Sequence, residues 1–127
     1  MDDEIATLFS RQLPVYHEEG QLKLKESTVL IIGCGGLGST CSTILSRSGV
    51  GHLILVDDDI VSLSNIHRQF LYTHADVDHF KCEAAAVSPL LCLSKNTPVN
   101  VHATEKEISQ LITQYKPCVV MDCTDNF

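Results

Sequence analysis

Gly33-Cys34-Gly35-Gly36-Leu37-Gly38 stands between a β-branched apolar run, Ser27 to Ile32, and a helical pattern from about Leu37 to Ser48. A G-x-G-x-x-G string in that context suits a phosphate-binding turn. The first glycine permits the turn, the second admits an anion close to the backbone, and the third lets helix and strand pack. The amides that open the helix would face the anion. Asp57 closes the next apolar run, 19 residues beyond Gly38, where a carboxylate can accept hydrogen bonds from ribose hydroxyls. So far NAD and ATP fit equally well. Ser64-Asn65-Ile66-His67-Arg68-Gln69 and Lys81 separate them, because they bring two cations and an amide towards the nucleotide end. A dinucleotide's diphosphate is held largely by helix amides, whereas a triphosphate calls for Arg and Lys neutralisation. Asp125 follows the last apolar run.

The elements that must position these residues alternate along the chain. Residues 4–12 and 18–26 read as short amphipathic helices separated near Pro14. Strands are expected at Ser27–Ile32, His52–Val56, Val99–Ala103 and Pro117–Met121, the last a buried run apolar enough to need cover on both faces. Helices are expected at 37–48, 79–94 and 105–114, with an irregular polar stretch over 60–78. The fold class is therefore α/β, a doubly wound, mainly parallel Rossmann-like sheet, apparently truncated after the fourth strand. The expected division is a helical segment at 1–26 and an incomplete ATP-binding domain at 27–127.

Composition narrows the classes. The 127 residues suit one domain, and 44% hydrophobic with 20% charged residues is the balance of a globular chain. A net charge of -7, with scattered Lys and Arg, argues against nucleic acid as partner. The acidic start Met1-Asp2-Asp3-Glu4 has the wrong sign for a signal peptide, and no apolar run has membrane-spanning length, so a cytoplasmic location is expected, with no membrane partner. Six cysteines form no C-x-x-C pair and read as buried thiols, Cys34 among them, and the six histidines as dispersed residues rather than ligands.

The string Gly33 to Gly38, Gly49-Val50-Gly51, Asp57-x-Asp59, Ser64-Asn65 with Arg68-Gln69, Lys81 and Asp122-Cys123-Thr124-Asp125-Asn126 resembles the ThiF/MoeB/HesA family, relatives of the ubiquitin-activating enzymes. The resemblance implies an adenylyltransferase that uses ATP and magnesium. The carboxy-terminal glycine carboxylate of a ubiquitin-like sulfur carrier would attack the α-phosphate, giving an acyl-adenylate and pyrophosphate in thiamine or molybdopterin biosynthesis. A variant within the family activates a peptide carboxylate during peptide-natural-product maturation. By the same resemblance the glycines Gly33, Gly35, Gly36 and Gly38 and Gln69 belong to the nucleotide site, and Asp57 binds ribose. Asp59 orders the pocket, Asn65, Arg68 and Lys81 hold phosphates, and Asp125 is associated with magnesium. Arg11 would reach the neighbouring subunit's site in a homodimer. The family's second arginine and tyrosine upstream of it are replaced by Leu8 and Phe9. Zinc sites and reactive cysteines of the family belong to a second half that this sequence lacks, so the chain alone is expected to be sparingly soluble and not to adenylate a carrier. Two other readings are an NAD-binding dehydrogenase and a catalytically incomplete nucleotide-binding remnant.

Overall fold

The computed structural model describes residues 1–125; Asn126, the end of the family-like string, and Phe127 lie outside the described residues. The elements are α1 (Asp3–Leu8), α2 (Leu13–Glu26), β1 (Thr28–Ile32), α3 (Gly36–Ser48), β2 (His52–Val56), α4 (Lys81–Ala86), β3 (Lys95–Val99), α5 (Glu105–Tyr115) and β4 (Val119–Asp122). All strand pairs are parallel, in the order β3-β2-β1-β4. The chain adds β2 and β3 on one side of β1 and then crosses to lay β4 on the other. The gap between the carboxyl ends of β1 and β4 is thus a topological switch point, where open α/β sheets bind ligands.

Alternation along β1 and β2 divides the core. Val29, Ile31, Leu53 and Leu55 point to one face and pack with Val50, Cys82, Ala85 and Leu91 from the α3 and α4 side. Leu30, Ile54 and Val56 point to the other, where Leu111 of α5 covers them. Helices therefore lie on both faces, as the apolar runs predict, and the two central strands are sealed.

Several expected boundaries moved. Pro14 does not separate two helices; it sits in the first turn of α2, where its missing N–H is harmless, and the interruption falls at His17, whose φ is 60°. The helix expected at 79–94 stops at Ala86, because the residue before a proline is pushed out of the helical region: Ser88 is extended, and Pro89–Leu91 forms a separate 3-10 turn. The third strand is not Val99–Ala103 but Lys95–Val99. Its Pro98, which cannot donate to a ladder, is tolerated because β3 is the outer strand. β4 is present but not buried: Val119 and Val120 are 47% and 40% exposed, since β4 pairs with β1 alone and α5 packs over β1 and β2. No helix among the described residues is long and apolar enough to cross a membrane. All six cysteines are free.

Candidate nucleotide site

A cavity of about 450 Å³ opens at the switch point, within the range of small-molecule sites. One wall is the β1–α3 turn. Gly33 adopts φ +101°, a conformation that L side chains rarely reach. A Cβ on Gly38 would overlap the Gly33 carbonyl oxygen, so the third glycine of the string is fixed by helix-to-strand contact and does not itself line the cavity. Gly35 and Gly36 do, and Gly36 faces open space. Gly35 caps α3 with no side-chain acceptor, which leaves first-turn amides to serve an anion.

The opposite wall comes from residues 57–81. Asp57 ends β2 and spends its carboxylate on local geometry: Oδ2 accepts from the Cys34 amide at 2.7 Å and Oδ1 from the Asp59 amide at 2.7 Å. Each oxygen keeps a lone pair for a ribose hydroxyl. Ser62 to Asn65 turns the chain, and Arg68, donating to the Ser64 carbonyl at 3.0 Å, lies along the cavity. Lys81 begins α4 and is only 7% exposed, so it is no solvated surface charge. Its ammonium nitrogen stands 3.8 Å from Asp59 Oδ2, beyond hydrogen-bond length. A buried cation so loosely paired is costly unless another anion joins it. Gln69 is 5% exposed and its buried Oε1 has no partner among the described residues. Lys81, with the open Gly36, is what a polyanionic nucleotide would complete, whereas Gln69 Oε1 only accepts and calls for a hydroxyl, amine or water donor. Asp125 is exposed and closes the β4 side of the same cavity.

The structure thus gathers Gly33, Gly35, Gly36, Asp57, Asp59, Arg68, Gln69, Lys81 and Asp125 around one cavity. Asn65 is not among its lining residues; its Oδ1 instead accepts from the Ser62 amide at 3.0 Å, capping the short turn that leads to Arg68. Arg11 is exposed on the turn between α1 and α2 and does not line its own chain's cavity. Sequence reasoning passed over His102 and Asp58, which pair at 3.1 Å on the cavity rim. It also passed over Val101 and Ala103, because the third strand was placed four residues too far along the chain. Nothing here calls for a nucleophilic thiol. Burial, then the neighbouring Asp57, holds Cys34 well above the usual thiol range. Burial and the neighbouring Cys41 push Cys123 up to about 11.

Molybdopterin-synthase adenylyltransferase of Escherichia coli (strain K12) is 39% identical over 133 residues, which cover 99% of this chain and 51% of that protein. Adenylyltransferase and sulfurtransferase MOCS3 of Drosophila willistoni is 42% identical over 98% of this chain and 28% of its own length. The chain therefore spans about half, or less, of these curated relatives. Among solved structures, Escherichia coli tRNA N6-threonylcarbamoyladenosine dehydratase in complex with ATP superposes with a TM-score of 0.86 at 24% identity. That match covers 98% of this chain and 52% of that one, a likeness of fold. Residues 9–127 match the ThiF family, and with the glycine turn, the paired aspartates and Lys81 in one cavity, the chain belongs to that family.

Proposed function

We propose that this chain supplies the ATP site of an adenylyltransferase that activates the carboxy-terminal glycine of a ubiquitin-like sulfur carrier. The observation that carries the nucleotide reading is Lys81, a buried cation facing the cavity with its carboxylate partner at 3.8 Å. Residues 27–127 form the nucleotide-binding domain and residues 1–26 a helical segment in front of it. The turn amides and Gln69 hold phosphate oxygens, Asp57 takes the ribose, and Arg68 and Lys81 neutralise charge that builds on the phosphates during displacement. Asn65 acts indirectly, by shaping the turn that carries Arg68.

The carboxylate oxygen of the carrier bonds to the α-phosphorus as the bond to the β-phosphate oxygen breaks, so the electron pair leaves with pyrophosphate. Asp125, an oxygen donor on the open side of the cavity, suits magnesium. The ion would add positive charge across the phosphates. Arg11, exposed and outside its own chain's cavity, serves a neighbouring subunit's site in a homodimer. The relatives named as adenylyltransferases support this reading.

The test is exchange of labelled pyrophosphate into ATP by the chain joined to the second half of its Escherichia coli relative. A carrier ending in glycine should raise magnesium-dependent exchange. Exchange indifferent to the carrier, in protein that binds ATP, would contradict the substrate assignment.

A further inference from the structure

Tyr72 is 2% exposed and lies in the core under the glycine turn, on the same polar segment that delivers Arg68 and Gln69. Its amide donates to the Gln69 carbonyl at 3.2 Å, and its hydroxyl donates to the Cys34 carbonyl. On the other side of the same residue, the Cys34 amide donates to Asp57 at 2.7 Å. Two consecutive peptides of the turn are thus held by side chains from outside it. In a trans peptide the carbonyl and the following N–H point in opposite directions, and no described peptide is cis. A Cys34 carbonyl held inward by Tyr72 therefore leaves the Gly35 N–H pointing outward, to the cavity that Gly35 lines. That N–H has no partner among the described residues. The peptide upstream obeys the same rule: with the Cys34 amide drawn to Asp57, the Gly33 carbonyl turns towards α3 at Gly38.

We propose that Tyr72 is a positioning residue of the nucleotide site, whose hydroxyl fixes the Cys34–Gly35 peptide so that the Gly35 N–H donates to a phosphate of the bound nucleotide. The clamp is needed because glycine at 33 and 35 leaves the turn free to rotate that peptide. Burial keeps the phenol well above its usual range, so the hydroxyl stays a donor at every working pH. No periodicity marks Tyr72 in the sequence. Its role rests on a contact across 38 residues.

The inference rests on the nucleotide reading above, and the experiment separates the two. Wild type and Tyr72→Phe are titrated with ATP and with inorganic tripolyphosphate, and the Gly35 amide is followed by nitrogen-15 NMR. The expected result is a loss of about tenfold in affinity for both ligands in the variant. The Gly35 signal should shift strongly on binding in the wild type and weakly in Tyr72→Phe. Lower thermal stability with unchanged affinity would make Tyr72 merely structural and overturn the inference while leaving the nucleotide site in place. Wild type that binds neither ligand would overturn the nucleotide reading and the inference with it. If Tyr72→Phe does not fold, the wild type decides alone: a Gly35 amide that ignores tripolyphosphate overturns the proposal.

Discussion

The two walls of the cavity are built by different chemistry. The β1–α3 turn offers backbone: glycines, helix amides and no charged side chain between Gly33 and Gly38. The wall from Asp57 to Lys81 offers side chains, with Arg68, Gln69 and Lys81 set against carboxylates. A backbone wall binds any phosphate that reaches a helix amino terminus and distinguishes little between nucleotides. The charged wall selects. It also carries a strain that the backbone wall does not, a buried lysine without a close counterion and a buried amide oxygen without a donor. The lysine is a cost to the free protein that a triphosphate removes, whereas the amide oxygen needs a donor that phosphates lack, so at Lys81 stability and affinity should respond in opposite ways.

The largest effect should come from the backbone wall. Gly38→Val places a side chain on the Gly33 carbonyl and should destabilise the fold by about 3 kcal/mol or more, seen as a lower urea midpoint. On the β4 side, Asp125→Ala should abolish magnesium-dependent pyrophosphate exchange with little change in melting temperature, since Asp125 is exposed. Near-normal exchange would remove it from the mechanism. Lys81→Met sharpens the contrast between the walls. ATP affinity should fall about 30-fold or more, a charge-assisted bond being worth about 2 kcal/mol, while the free protein is as stable as before or more so. A variant that loses stability and keeps its affinity would show Lys81 to be structural.

Asp57→Ala is a finer probe, because this carboxylate serves both walls. It should weaken ATP more than tripolyphosphate by calorimetry, reflecting the ribose; equal losses would mean that Asp57 acts only through the Cys34 amide. The smallest effect concerns Cys123. Its thiol is raised to about 11 in the folded protein by burial and Cys41, against an ordinary value of 9.0. Stability from this source is complete below pH about 9, and is lost as the pH rises through about 11. Melting curves at pH 8 and 10.5 should show a drop that Cys123→Ser reduces.

How much could be read in advance follows the same division. The glycine turn, β1, β2 and α3 were legible because their signals are local: β-branched runs, then glycines, then a helical period. The charged wall was legible only as a collection of residue types. Nothing in the string showed that Lys81 would be buried, that Asn65 would cap a turn, or that Tyr72 would reach back to Cys34, because those are contacts between distant segments. The third strand differs from its sequence pattern because Val99 to Ala103 alternates better than Lys95 to Val99, whose Lys, Asn and Pro suit an outer strand. The fourth strand is where its apolar run places it but is exposed, because apolarity does not report how many neighbours a strand has.

The most direct test of the central claim, that the charged wall makes this an ATP site and not a dinucleotide site, is a calorimetric titration of the chain with ATP and with NAD under the same conditions. The account predicts that ATP binds at least about 30-fold more tightly, the worth of one charge-assisted contact of about 2 kcal/mol, and that Lys81→Met erases most of the difference. NAD binding as tightly as ATP, or a preference for ATP that survives the loss of Lys81, would contradict it.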